Sequence, residues 1–208
     1  MHTAYLSLGS NLEPGRHLPA AVQALRARFG ELLVSPCYRF PAVGYDGPDF
    51  LNAAAALRTD LDAHALNAWL HALEDAHGRD RSGPRYSDRT LDIDIVLYDD
   101  LVAEGVGNLR IPRDELRHAF VLKPLAQIAP GAVHPLERRT IAELWQAHPD
   151  HDVAFDEVAY RKFKRPFRAV CWVGGGRASP VLGTDRTSVS GISASRGHAA
   201  ALSAAMLR

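Results

Sequence analysis

The chain is predicted to fold as an α+β sandwich with a ferredoxin-like βαββαβ core, its helices packed on one face of a mainly antiparallel sheet. Three observations predict it. Two stretches carry apolar residues at three- and four-residue spacing and read as helices. Four short apolar stretches, bounded by Gly, Pro, Asn or Ser clusters, read as strands. Their order along the chain is strand, helix, strand, strand, helix, strand.

Ala4 to Leu8, "AYLSL", alternates apolar with small or polar residues and ends at the turn cluster Gly9-Ser10-Asn11. A helix is expected from about Pro14 to Phe29, with Leu18, Val22, Leu25 and Phe29 on one stripe and Gly30 as its stop. Leu32 to Arg39 reads as the second strand, broken by Pro36, and the Pro- and Gly-rich residues 40–49 as a long loop. Phe50 to Leu57, "FLNAAAAL", is ambiguous by propensity but short, and the next helix has its own start signal, so it reads as a strand. That helix starts at an Asp62 N-cap, carries Leu66, Trp69, Leu70 and Leu73, and stops at His77 with Gly78 behind it. A polar loop over 79–90 leads into "LDIDIVLY", the fourth strand. Further on, Thr140 and Glu143 form a capping box for a short helix. Residues 1–160 are expected to form the folded domain. The Gly-, Ser- and Ala-rich residues 161–208 offer little to bury and are expected to be disordered.

With 208 residues the chain is long enough to bury a real core. Its 24 basic and 24 acidic residues cancel, which disfavours a polyanion binder and so a nucleic-acid role. Cys37 and Cys171 make neither a disulfide framework nor a Cys-based zinc site, so a reducing compartment is expected. The N-terminus lacks the basic start and apolar stretch of a signal peptide, and no apolar run has membrane-spanning length. A soluble, cytoplasmic monomer is the expectation.

Asp92 and Asp94 lie two apart in the fourth strand, so both side chains face the same way, while Leu91, Ile93 and Ile95 face the core. At roughly 6.6 Å, two bare carboxylates repel by about 2.5 kcal/mol at an effective dielectric near 20. A divalent cation removes that cost, and Mg²⁺ favours carboxylate, water and phosphate oxygens. The alternative is a solvated sheet face whose charges are met by nearby arginines. Arg79, Arg81, Arg85 and Arg89 all fall in the loop that delivers the chain to this strand. Guanidinium forks suit phosphate oxygens, so an aspartate pair beside an arginine loop points to phosphoryl transfer.

The stretch "GRDRSGPRYSDRTLDIDIVLYDD" resembles the signature of the 6-hydroxymethyl-7,8-dihydropterin pyrophosphokinases, folate-pathway enzymes that move pyrophosphate from ATP to a pterin alcohol. "YLSLGSNL", "YRFPAVGYDGPDFLNAA" and "AFVLKPLAQIAP" resemble other family segments in the right order, and together the matches cover roughly residues 3–146. The resemblance implies the ferredoxin-like fold, two Mg²⁺ ions on Asp92 and Asp94, and ATP and a reduced pterin as the small-molecule partners. It implies that Arg79 and Arg89 stabilise the triphosphate during transfer, and that Glu74, Arg81, Arg85 and His118 contact ATP. Phe50 and Asn52 would hold the pterin, with Phe120 as a second ring and Pro41 and Val43 lining the same pocket from the long loop. A flat heterocycle with amide-like edges suits a stacking ring and an Asn. Core packing is the other reading of both phenylalanines.

Some positions depart from the family pattern. Ser87-Asp88 stands where Gly-Pro usually precedes the arginine, and Tyr86 where Trp is common. Gly83-Pro84-Arg85 invites another register, but only Arg89 keeps the proper offsets to Asp92 and Asp94. After Ile111 the segment is about one residue short: Arg113 follows the Pro where a His is usual, and His118 takes the place of an Arg. Lys123 stands at a position that is usually apolar. His64, His71 and "HPDHD" read as surface polar positions, and "LGSN" as a turn rather than a phosphate loop. Two other classes stay open: a catalytically weakened paralogue that binds a pterin or nucleotide, and a different D-x-D transferase such as a sugar-nucleotide enzyme.

Overall fold

A computed structural model describes residues 1–82 and 87–158. The expectations for residues 161–208, and for Arg85 and Tyr86, lie outside the described residues.

Strand β1 (His2–Ser10) runs through the middle of the sheet because alternate residues Ala4, Leu6 and Leu8 are fully buried on one face. Helix α1 (Pro14–Phe29) follows, then β2 (Leu32–Val34), β3 (Cys37–Phe40), β4 (Phe50–Thr59), α2 (Ala63–Ala76) and β5 (Asp92–Tyr98). The strand order is β5-β1-β4-β3, with β2 also on β4, and every pairing is antiparallel. The four alanines of β4 are good helix formers held in a strand by their surroundings. Ala53 and Ala55 belong to one core and Ala54 to the other, so the strand is buried from both sides and its small side chains leave room for them. Asp62 caps α2 by accepting a hydrogen bond from Ala65 N at 2.8 Å, and Gly78 stops it at φ +77°.

Pro36 divides the expected second strand into β2 and β3, and the pairing on β4 slips by one residue between Val34↔Ala55 and Tyr38↔Asn52. Ser35 holds the break together. Its N–H donates to Ala54 O at 2.9 Å and its hydroxyl accepts from Ala54 N at 2.8 Å, supplying bonds where the proline has no N–H to give.

One expectation is corrected: the helices lie on both faces of the sheet. α1 and α2 cover the Leu6, Leu8 and Ile93 face. Helix α3 (Ala119–Ile128) and the short α4 (Ile141–Gln146) pack Val121, Leu122, Leu125 and Ile141 against Tyr38, Phe40, Ala54 and Val96 on the other. The face that carries the aspartates is therefore partly roofed by α3, which the apolar "AFVLKPLAQI" supports on one stripe. The expected capping box is present, with Glu143 N on Thr140 Oγ1 at 3.2 Å and Thr140 N on Glu143 at 2.7 Å. A hairpin of β6 (Ala103–Gly105) and β7 (Leu109–Ile111) is an addition the sequence did not announce, and β8 (Glu157–Val158) pairs with the outer side of β3.

Where the ends of α1 and α2 meet, His17 and His77 place their Nδ1 atoms 2.9 Å apart. Burial holds both imidazoles below their ordinary range; Arg16 adds to this at each, while Glu13 opposes it at His17. A histidine whose folded pKa is depressed contributes stability that is full above the unfolded value of about 6.5 and is lost as pH falls below it. Melting temperature is thus expected to drop between about pH 7.5 and 5.5, and His77→Gln to flatten that dependence. An unchanged slope in the variant would contradict the assignment.

Candidate active site

Strand register builds the centre of the site. Gly9 of β1 pairs with Asn52 of β4 on one side and with Asp92 of β5 on the other; Ser7 pairs likewise with Asp94. Neighbouring strands are about 4.8 Å apart, so Asn52 and Asp92 stand in one row roughly 10 Å apart with only a glycine between them. A Cβ at Gly9 would lie 3.1 Å from Asn52 Oδ1 and 3.7 Å from the Phe50 ring. The missing side chain keeps the floor of the site open. Above it lies a cavity of about 660 Å³, of ordinary ligand-pocket size.

Asp92, Asp94, Arg79, Arg89, Glu74, Arg81, His118, Pro41, Val43, Phe50, Asn52 and Phe120 all line this one cavity. Arg85 lies outside the described residues. Arg79 places a guanidinium N–H donor 3.0 Å from Asp92, and Arg113 places one 2.6 Å from Asp94, so each aspartate has an arginine partner. The Arg79 side chain is 10 % exposed, yet its Nε and one terminal nitrogen are buried without a hydrogen-bond partner among the described residues. Buried guanidinium donors without acceptors are costly, and they fit a site that takes an anion. Burial, and then the neighbouring Asp92 charge, push the Asp94 carboxyl above the usual carboxylate range, against the pull of Arg113.

Glu74 is almost wholly buried. One carboxylate oxygen accepts from Ile93 N at 2.7 Å and the other from Arg81 at 2.6 Å, so it fixes α2 to the aspartate strand. Burial pushes its carboxyl up to about 7, with the Asp92 charge adding to the rise and the Ile93 N–H, Arg79 and Arg81 opposing it. The arginine loop is tied down from β1 as well. Asn11 Oδ1 accepts from Arg89 N at 2.6 Å, and Arg89 O accepts from Asn11 N at 3.0 Å. The Asn11 amide donates to Asp88 at 2.7 Å, and Tyr45 donates its hydroxyl to the same Asp88 oxygen at 2.9 Å. Asp88 thus joins the 40–49 loop to the arginine loop.

On the other side of the cavity the Asn52 side-chain amide makes no hydrogen bond among the described residues and is 5 % exposed as a residue. Phe120 stacks on His118 at 5.0 Å and meets Phe40 edge-on at 6.2 Å. Burial, and secondarily Arg117, hold His118 below its ordinary range. Sequence reading missed Ser7, Gly9, Tyr45, His71, Asn108 and Glu115 as lining residues. Strand alternation on β1 would have found Ser7 and Gly9, since they face away from Leu6 and Leu8. His71 is one turn before Glu74 on α2, and that helical spacing would have moved it off the surface.

Two carboxylates, with the remaining ligands left to water and phosphate oxygens, are how Mg²⁺ is usually held, and the all-oxygen donor pair fits it. No cluster of three or more His, Cys, Asp or Glu side chains forms a metal cage among the described residues.

Residues 5–130 match the family model described as 7,8-dihydro-6-hydroxymethylpterin-pyrophosphokinase (HPPK). The chain is similar to a Haemophilus influenzae protein named 2-amino-4-hydroxy-6-hydroxymethyldihydropteridine pyrophosphokinase, 37% identical over 156 residues that cover 73% of this chain and 96% of that one. A Pseudomonas aeruginosa protein of the same name is 39% identical over 151 residues, covering 70% of this chain and 91% of its own. Among solved structures, a triple mutant of Plasmodium falciparum HPPK-DHPS with pteroate superposes with a TM-score of 0.56 at 14% identity. The match covers 70% of this chain and 43% of that longer one, and at this identity it speaks to the fold alone.

Proposed function

The chain belongs to the 7,8-dihydro-6-hydroxymethylpterin-pyrophosphokinase family, and from that membership we propose which of its residues carry the reaction. It is an ATP-dependent diphosphotransferase of folate biosynthesis, moving pyrophosphate from ATP to the hydroxymethyl group of the dihydropterin.

Asn52 pairs the amide-like edge of the pterin, and Phe50 and Phe120 face its rings, with Pro41 and Val43 closing the loop side. Asp92 and Asp94 hold two Mg²⁺ ions, whose Lewis acidity, when bound, offsets charge on the phosphate oxygens. Arg79 and Arg89 receive the charge that builds around the β-phosphorus as the pterin hydroxyl oxygen bonds to it and the bond to the α-phosphate oxygen breaks, releasing AMP. Glu74, Arg81, Arg85 and His118 shape the ATP side. No covalent enzyme intermediate is required, since among the described residues no Ser, Cys or His at the aspartate pair stands in a nucleophile-and-base arrangement. The observation that supports this reading most is the Asn52–Gly9–Asp92 row, in which the residue proposed for the acceptor and one proposed for the phosphate cradle flank a single glycine across three neighbouring strands.

The strand order and antiparallel pairing support a ferredoxin-like unit made with α1 and α2, to which α3 and α4 add a second helical layer. No helix among the described residues is long and apolar enough to cross a membrane. The protein is read as a cytoplasmic monomer with no nucleic-acid partner, its balanced charge supporting that reading. The test is formation of AMP from ATP with 6-hydroxymethyl-7,8-dihydropterin and Mg²⁺. Turnover that needs all three components is expected, and AMP release indifferent to the pterin would overturn the assignment.

The Asp88 bridge predicts how loop 40–49 serves this reaction. A hydrogen bond to a charged group contributes about 1.5–3 kcal/mol. Asp88→Ala is expected to raise the pterin KM by about tenfold while changing kcat little. Equal KM values for variant and parent would show that the bridge does not hold the pterin side closed.

A further inference from the structure

Arg113 stands where a histidine is usual, and the structure commits it to Asp94. One terminal nitrogen lies 2.6 Å from Asp94 Oδ1, the other donates to Asn108 O at 2.6 Å, and Nε lies 3.3 Å from Glu115 Oε2. The side chain is 11 % exposed, and its backbone N–H is tied to Val96 O at 3.0 Å. This arginine is therefore held in place against the same carboxylate that is read as a Mg²⁺ ligand.

We infer that Arg113 competes with the divalent cation for Asp94 and thereby couples cation binding to nucleotide binding. The inference rests on the metal reading of Asp92 and Asp94. A guanidinium and a divalent cation drawn to one carboxylate repel each other, and Oδ1 cannot give the same lone pair to both. Moving Arg113 off Asp94 would leave its buried charge facing Glu115 alone, with which Nε makes no good hydrogen bond, unless a further anion is near. Phosphate oxygens of a nucleotide in the same cavity supply that anion. The cation alone thus meets a defended carboxylate, while cation and nucleotide together meet one that has been released. By thermodynamic reciprocity the nucleotide also binds more tightly when the cation is present.

Arg113 is on this account a positioning residue that acts through Asp94, and the test reads metal binding directly. Mn²⁺ is titrated into the full chain and followed by electron paramagnetic resonance, first by itself and then with α,β-methylene ATP. Arg113→Gln removes the charge and keeps a side chain able to hydrogen-bond; Arg113→Lys keeps the charge, and thermal melts show that each variant is folded. Without nucleotide, Arg113→Gln is expected to bind Mn²⁺ about tenfold more tightly than the parent and Arg113→Lys about equally. The factor by which the ATP analogue tightens Mn²⁺ binding should shrink correspondingly in Arg113→Gln. If Arg113→Gln binds Mn²⁺ no better than the parent, while Asp94→Asn still weakens binding, the competition is overturned and the metal reading stands. If Asp94→Asn leaves Mn²⁺ affinity unchanged, with or without the analogue, both are overturned together.

Discussion

Asp92→Ala and Asp94→Ala are each expected to lower kcat by about a thousandfold while the protein still folds. The size follows from what the aspartates are proposed to hold. Charge stabilisation by a bound metal is worth several kcal/mol in a transition state, and every 1.36 kcal/mol is a factor of ten. The folding expectation follows from exposure. Asp92 and Asp94 keep 36% and 29% of their side-chain surface, and the core contacts of β5 come from Ile93, Ile95, Val96 and Leu97. Loss of Asp94 also frees Arg113, so the melting temperature of that variant should fall more than that of Asp92→Ala. AMP release and circular dichroism on the same preparations check both statements. Near-parental turnover in the two variants would remove the aspartates from the chemistry.

Arg79→Met should cost about a hundredfold to a thousandfold in kcat with little or no loss of thermal stability. Most buried arginines could not be replaced so cheaply. Arg79 differs because its Nε and one terminal nitrogen have no acceptor among the described residues, so the folded protein already bears an unmet desolvation cost of about 1–3 kcal/mol for such a group. Methionine keeps much of the stem's packing and removes that cost, against the loss of the ion pair to Asp92. The catalytic penalty takes its size from removal of a single preorganised donor at developing charge. A destabilised variant that kept its turnover would reverse the assignment, making Arg79 a structural partner of Asp92 and no more.

Much of this site was legible in the sequence because it rests on period. The two-residue spacing of Asp92 and Asp94 needed only a strand to place both in one cavity; Phe50 and Asn52, which come from the family resemblance and not from spacing, line that cavity too. The helices were legible too: Asp62 caps α2 and Gly78 ends it. What stayed hidden depends on partners remote along the chain. Asn11 reads as a turn residue and became the clamp on Arg89, 78 positions away. Arg113 read as a departure from a familiar segment, yet it meets Asp94 because the β6–β7 hairpin returns the chain to the edge of β5. The roof formed by α3 was missed for another reason. Its own signal, the apolar stripe of Val121, Leu122 and Leu125, lies inside the stretch that carries the family likeness.

The pairing of β8 with β3 bears on how the molecule behaves in concentrated solution. Cys37 and Tyr38 of β3 take their outer partners from Val158 and Glu157, and Arg39 N donates to Asp156 O at 2.9 Å. Without those few residues, β3 would offer a row of unsatisfied amides and carbonyls to any other extended chain. Trimming the polypeptide just ahead of Asp156 would thus leave the catalytic pocket whole while opening a template for strand-to-strand self-association.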